Sequence, residues 1–438
     1  MTDKIKILTL SDHPLSPSGV GTQTKYIIEA LLKTGKYQIV SLAGAVKHED
    51  YKPLKTEEHG DDWLIVPVDA YGNPDQIRSA ISEVRPDILY FMTDPRFWGW
   101  LWNIENEIRK NVPMVYYHVW DNFPYPEFNS NSYRSNDFVA TISKVTDDIV
   151  KVLTPEIARE YVPHAVDTNI FHRVSDDAIR EFRKEHLKNP DATVFFWNNR
   201  NARRKQSGAL VWWFKQFLDK VGHENACLIM HTDPKDVHGQ DLEAIIRELK
   251  INDGQVLLSK NKIPPEHLSM MYNMADCTIN ISDAEGFGLA TLESLATETP
   301  IIVTMTGGLQ EQVTELKEVS EESMLTRNNN KRKRITKFKH GLGIEPSSKS
   351  IIGSQDVPYI YEDRLNGNDV VKALEMFYNF SEEERRKLGQ AGRKHVLKNY
   401  NFENFGKQWD DIMTRVHETF GSWDTRKNYS SYRFKEIV

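Results

Sequence analysis

Residues 281–313 read ISDAEGFGLATLESLATETPIIVTMTGGLQEQV, and no other stretch constrains the fold as strongly. A β-type run ends near Ser282, and a tight Glu285-Gly286-Phe287-Gly288 turn follows. A helix-period segment continues to about Thr297, and residues 300–303 have the composition of the next strand. Such a strand–turn–helix–strand unit places a glycine turn at a helix start. Glycines at 286 and 288 let a ligand approach the backbone, and the helix beginning there offers unpaired N–H groups to a phosphate. Glu285 sits in the turn, and Glu293 projects from the helix eight residues on. Two carboxylates about an anion-binding helix start suit the two hydroxyl-rich ends of a sugar nucleotide. An isolated pair would equally describe surface glutamates beside an ordinary turn. Here Gly307, Gly308 and Glu311 follow at the next strand's end, where a second phosphate-facing loop is expected.

The rest of the chain repeats this alternation. Strands are expected at 5–10, 38–42, 64–68, 87–92, 114–118 and 138–142, with helices at 22–34, 74–84 and 144–153. A second series of strands is expected at 193–197, 226–231, 256–259, 277–282 and 300–303. Two such halves make two Rossmann-like domains with a cleft between them. The 438 residues suffice for two separate cores, and the polar stretch 172–191 is the expected boundary. Gly19 and Gly21 stand between the first strand and first helix, where close approach of a diphosphate or sugar is again possible. His118 ends a strand, which in a parallel sheet faces the ligand crevice, although a structural histidine is the commoner case. Trp98, Trp100 and Trp102 do not share one helix face and are assigned mainly to core packing.

The 281–313 stretch resembles the signature of the retaining GT-B glycosyltransferases, family 4 type. That signature is a Glu-x7-Glu motif within an E-G-F-G-L…L-E…A…P run, followed by G-G-x-x-E. Glu285, Gly286, Phe287, Gly288, Leu289, Glu293, Ala296, Pro300, Gly307, Gly308 and Glu311 stand at matching places; Glu298 departs from the usual glycine. The loop after the strand at 193–197 reads NNRNARRKQSG and resembles the family's G-R-x-x-x-x-K-G segment. Arg203 and Arg204 share that loop, but the resemblance selects Arg200 and Lys205. Asn199 and Gln206 replace its glycines, and His164 and Ala165 replace an Asn-Gly pair at the domain junction.

The resemblance implies an α/β GT-B fold with an acceptor-side domain at 1–172 and a donor domain at 190–400. It further implies a basic insertion at about 314–345 and a helix at 401–420 crossing back to the first domain. The donor is then a UDP- or GDP-linked hexose. Glu293 takes the ribose hydroxyls, Glu285 the sugar hydroxyls, and Gly286, Phe287, Gly288 and Leu289 the diphosphate. Gly19 and Gly21 face the donor across the cleft, and His118 orients the sugar. Arg200 and Lys205 neutralise the departing diphosphate. With no Asp-x-Asp in the chain, neither a catalytic metal nor a cofactor is expected. An epimerase of the same fold would need acid and base residues that the pattern does not supply. A non-catalytic binder would have no use for a leaving-group pair.

The acceptor is left open between a glycan, a small molecule and, less favoured, DNA. The run RNNNKRKRITKFKH at 327–340 keeps DNA in view, whereas the net charge of −7 argues against a general polyanion binder. Hydrophobic residues at 39% and charged residues at 27% describe an ordinary globular protein. Cys227 and Cys277 are too few for a disulfide framework, so a reducing, cytoplasmic setting is expected. No leader is read before the first strand, and no apolar run is long enough for a transmembrane segment.

Overall fold

Each half of the chain forms a mostly parallel sheet covered by helices. The computed structural model describes residues 4–121, 124–316 and 334–430. The first half supplies β1 (Ile5–Asp12), β2 (Tyr37–Gly44), β3 (Leu54–Lys55), β4 (Trp63–Pro67) and β5 (Ile88–Thr93). It continues with β6 (Met114–His118), β7 (Phe138–Thr141) and β8 (Ala158–Tyr161), ordered β3-β4-β2-β1-β5-β6-β7-β8. All neighbours pair in parallel except the short edge strand β3. Every side chain of β5 and β6 is buried, as required of parallel strands covered on both faces.

The second half supplies β9 (Thr193–Asn198), β10 (Ala226–His231), β11 (Val256–Ser259), β12 (Cys277–Asn280) and β13 (Ile301–Thr304). The antiparallel β14 (Ile335–Lys337) and the parallel β15 (Gly341–Ile344) complete the order β11-β10-β9-β12-β13-β15-β14. These are the two α/β domains of the GT-B fold.

The expected boundary stretch 172–191 lies between the two sheets and carries the Ser175-capped helix Asp176–His186, whose Arg183 pairs with Asp276 at 2.9 Å. One expectation needs correction, and one element is new. The proposed insertion is partly sheet, because β14 and β15 extend the second domain. Gly341 permits that pairing, since a Cβ there would lie 1.9 Å from the Ile301 carbonyl. A hairpin of β16 (Ser348–Ile352) and β17 (Ile360–Arg364) was not foreseen at all. Lys331, Arg332 and Lys333 of the basic run lie outside the described residues. Of the remainder, Lys337 pairs with Glu384 and Lys339 with Glu315.

The last long helix, Phe402–Phe420, does cross back to the first domain. Gly406 lets it approach the helix Gly19–Lys33, where an added Cβ would sit 3.0 Å from the Ala30 Cβ. Trp409 is fully buried, edge-on to both Tyr90 and Tyr117. Tyr37 donates to the Asp410 carboxylate at 2.7 Å. Beyond Gly421, where the sequence carries little signal, Trp423 donates to the Pro86 carbonyl at 3.0 Å and Arg426 to Asp137 at 2.7 Å. No helix among the described residues is long and apolar enough to cross a membrane.

Candidate active site

The carboxyl ends of both sheets face each other across the cleft, where loops meet at the switch between β9 and β12. A cavity of about 650 Å³ opens there, bounded by Ser18, Gly19, Gln23 and Tyr26 on one side. Arg200, Asp236, Leu289 and Glu293 bound it on the other. Ser18 shapes the first wall by capping the helix Gly19–Lys33, accepting from the Gly21 N–H at 2.9 Å and donating to Asp12 at 2.6 Å. A side chain at Gly19 would crowd the tip of Leu289 from the opposite domain, which lies 3.1 Å from where the added Cβ would be.

The glycine turn behaves as a helix entry. Gly288 adopts φ +93°, which only glycine takes readily, and leaves the helix Leu289–Ala296 without a side-chain cap. Leu289, Ala290 and Glu293 of that helix line the cavity, so its positive end is aimed into it. Phe287 instead turns into the interdomain core against His164 and Tyr400. Gly307 and Gly308 do not form a second phosphate-facing loop. They seat against the turn, with Gly308 donating to the Glu285 carbonyl at 3.0 Å. A Cβ at Gly307 would collide with that carbonyl at 1.9 Å.

Glu285 and Lys205 form a close ion pair in which the lysine is 9% and the glutamate 13% exposed. Burial pulls the Lys205 amine down to about 8, helped by the Arg204 charge and opposed by Glu285. Burial alone would raise the Glu285 carboxyl, but Lys205 and Arg204 overrule it and hold it below its ordinary value. The pair is ionised at neutral pH.

Arg200 stands apart from Lys205. It lines the cavity and is held by Asp236 at 2.6 and 3.2 Å and by His238 at 2.8 Å. The residue beside Lys205 is Arg204, which donates to the Ala284 carbonyl and lies 4.0 Å from Asp121. Gln206 in a left-handed conformation (φ +56°) closes the one-turn 3-10 segment Arg203–Lys205 that separates these side chains.

Glu293 accepts from the Tyr272 hydroxyl at 2.7 Å, and Asn198 donates to that hydroxyl at 2.8 Å. Burial raises the Glu293 carboxyl to about 7 against the effect of Tyr272. Glu311 is likewise raised to about 7 by burial, yet it serves the domain junction. It accepts from the Lys144 backbone N–H, at the start of the helix Lys144–Leu153, and from the Tyr161 hydroxyl at 2.9 Å.

His118 does not reach the cavity. Strand alternation puts it on the face of Met114 and Tyr116, where it is fully buried and bonded to the Tyr133 hydroxyl at 2.6 Å. Burial drops its pKa to about 3, so the imidazole is neutral, and its Nδ1 has no partner among the described residues.

Two acids escaped the sequence reading. Asp94 and Asp121 follow β5 and β6, and burial raises both carboxyls, opposed mainly by Arg96 at Asp94 and by Arg204 at Asp121. Thr93, a β-branched residue, holds φ +138° immediately before Asp94, a strained position of the kind found at functional sites. Their one sequence signal was placement just after a strand's carboxyl end. Glu29, Glu58 and His59 are the one group among the described residues with ligand atoms close enough to share a metal ion, and they lie outside the cavity lining.

A family profile described as "Glycosyl transferases group 1" matches residues 178–333. A D-inositol 3-phosphate glycosyltransferase of Corynebacterium jeikeium is 31% identical over 175 residues, which are 39% of this chain and 41% of that protein. The chain thus matches under half the length of this relative. Sucrose-phosphate synthase from Thermosynechococcus elongatus superposes with a TM-score of 0.70 at 16% identity, over 95% of this chain and 100% of that one. Anabaena HepE in complex with UDP and glucose superposes with a TM-score of 0.64 at 14% identity, over 94% and 99%.

Proposed function

We propose that the chain is a retaining, metal-independent glycosyltransferase of the family 4 type, taking a hexose from a UDP- or GDP-linked donor. The observation that carries this reading is the buried Lys205–Glu285 ion pair at the turn before an uncapped helix start, with Glu293, eight residues on, lining the cavity that this helix faces. Its support from relatives is the glycosyltransferase named for the matched segment and the UDP and glucose of the HepE complex.

In this reading Glu293 receives the ribose hydroxyls, Glu285 the sugar hydroxyls, and the backbone of Gly286–Leu289 the diphosphate. Gly19 and Gly21 bring the first helix close to the donor. Breaking the sugar–phosphate bond builds positive charge on the sugar and negative charge on the diphosphate. Lys205 and Arg200 meet the negative charge, and Glu285 faces the positive one. The departing phosphate oxygen takes the acceptor proton on the same face, which retains configuration and needs no separate base. His118, neutral and bonded to Tyr133, is a positioning residue beneath the cleft.

The test is a screen of nucleotide sugars for release of nucleoside diphosphate, run with and without EDTA. The expected result is turnover of a UDP- or GDP-hexose that EDTA leaves intact. Loss in EDTA restored by manganese would overturn the metal-free chemistry, and turnover of no donor would overturn the reading itself.

A further inference from the structure

The helix Gly19–Lys33 buries Ile27, Ile28 and Leu31 in the first domain and leaves Glu29 on its flank, half-buried beside the connection from β3 to β4. That connection is tightly wound. Gly60 donates its N–H to the Thr56 carbonyl at 2.9 Å, and Asp62 donates to the His59 carbonyl at 3.0 Å. The one-turn 3-10 segment Gly60–Asp62 then leads directly into β4. His59 packs its ring against the fully buried Trp63, with centroids 5.7 Å apart, so the imidazole is 11% exposed and fixed in direction.

The His59 Nε2 atom is shut off from solvent and has no hydrogen-bond partner among the described residues. A Glu58 carboxylate oxygen stands 4.0 Å from it, too far for a hydrogen bond. Buried polar atoms are rarely left unpaired, so this nitrogen points to a group that completes it. Ligand atoms of His59, Glu58 and Glu29 all lie within 4.8 Å of one another. Charge points the same way. Among the described residues Lys25 reaches Glu29 at 3.5 Å, an exposed i,i+4 pair of little strength. Lys4 and Lys55 are committed to Asp62 and Asp61, and Glu58 has no lysine or arginine partner.

We propose that His59, Glu29 and Glu58 form a structural site for a divalent cation of the zinc class, which staples the first helix to the β3–β4 connection. One imidazole nitrogen with two carboxylate oxygens suits zinc, whereas magnesium and calcium prefer oxygen-only sets. Three ligands leave the fourth tetrahedral position to water. Bonds of about 2.1 Å put tetrahedral ligand atoms about 3.4 Å apart. Glu58, 72% exposed and free to rotate, closes the remaining distance. Because these residues lie outside the donor cavity lining, the ion supports the fold and takes no part in sugar transfer.

The experiment strips the full chain with EDTA, removes the chelator and titrates ZnCl2 or MgCl2 by calorimetry. The expected result is one zinc per chain, with a Kd on the order of micromolar, and no saturation by magnesium in the same range. Zinc at a hundredfold excess over Kd raises Tm by about 3–6 °C. Glu29→Gln and His59→Ala each weaken zinc at least tenfold and remove the Tm rise. His223→Gln, which alters a histidine beside Asp219 on the second domain, changes neither. Circular dichroism checks each fold, and Glu29→Gln, on the half-exposed flank, carries the test alone if His59→Ala does not fold. Donor turnover at 25 °C is the same with and without zinc, and binding is measurable whether or not the glycosyltransferase reading holds. Absence of zinc binding, zinc binding undiminished in folded Glu29→Gln, or magnesium bound as tightly as zinc would each overturn the site.

Discussion

Lys205→Met lowers kcat by about 10²–10³-fold, the scale of losing one preorganised charge at a site where charge develops. The effect falls on kcat because diphosphate charge grows only as the sugar–phosphate bond breaks. The same change leaves Glu285 buried without its partner, which costs stability on the order of 3–5 kcal/mol for a fully buried pair and less here, where both ends keep some exposure. Activity loss and unfolding are separated by adding Glu285→Gln. The double variant regains thermal stability because no lone charge remains, whereas turnover stays low because the leaving group still lacks its cation. Turnover that recovers along with stability would reduce Lys205 to a scaffold residue. Arg200→Ala acts in the same direction; Asp236, whose side chain is 13% exposed, keeps the His238 backbone N–H at 2.9 Å, which limits the structural cost.

Glu293→Gln raises the donor KM by about 10–100-fold, the worth of a charged hydrogen bond to a hydroxyl pair, with a lesser effect on kcat. Its stability effect runs the other way and depends on pH. The folded carboxyl has its pKa raised from 4.5 to about 7, so folding favours the protonated form. That contribution is fully present below pH 4.5 and is lost as pH rises through 7, at a cost of about 3 kcal/mol. Glutamine mimics the protonated acid at every pH. The variant therefore melts above the wild type at pH 8 and level with it near pH 4, readable as two thermal scans. Glu311, shifted to the same degree, keeps its own pH dependence in both proteins. A constant difference between variant and wild type across this range would mean that Glu293 is not the buried acid described. A ligand-binding carboxylate held at the expense of stability is a common trade at functional sites.

Much of the scaffold was legible as period and punctuation. The helix Pro74–Val84, with its Asn73 cap, and the strands Met114–His118, Ala226–His231 and Val256–Ser259 have the bounds expected from the residues. Local sterics and apolar spacing decide these, and both are written along the chain. The glycine turn was legible for the same reason, since φ +93° at position 288 leaves little choice of residue.

What the linear pattern did not carry is which side chains meet. The resemblance selected Arg200 together with Lys205; in the fold Asp236 and His238, over thirty residues away, hold Arg200 while Arg204 takes the place adjoining Lys205. His118 ends its strand as expected, but burial beside Tyr133 follows from the helices packed over that face. β15, reading Gly-Leu-Gly-Ile, has almost no intrinsic strand preference; it pairs because Ile301–Thr304 offers it an open edge. The hairpin of β16 and β17 depends on acids at 283 and 362 finding arginines at 364 and 203. Sequence by itself determined two parallel α/β halves and a glycine turn at a helix start, because those follow from neighbours a few residues apart. Only the tertiary structure decided which charges pair and which histidine is dry, because those depend on contacts between residues far apart in the chain.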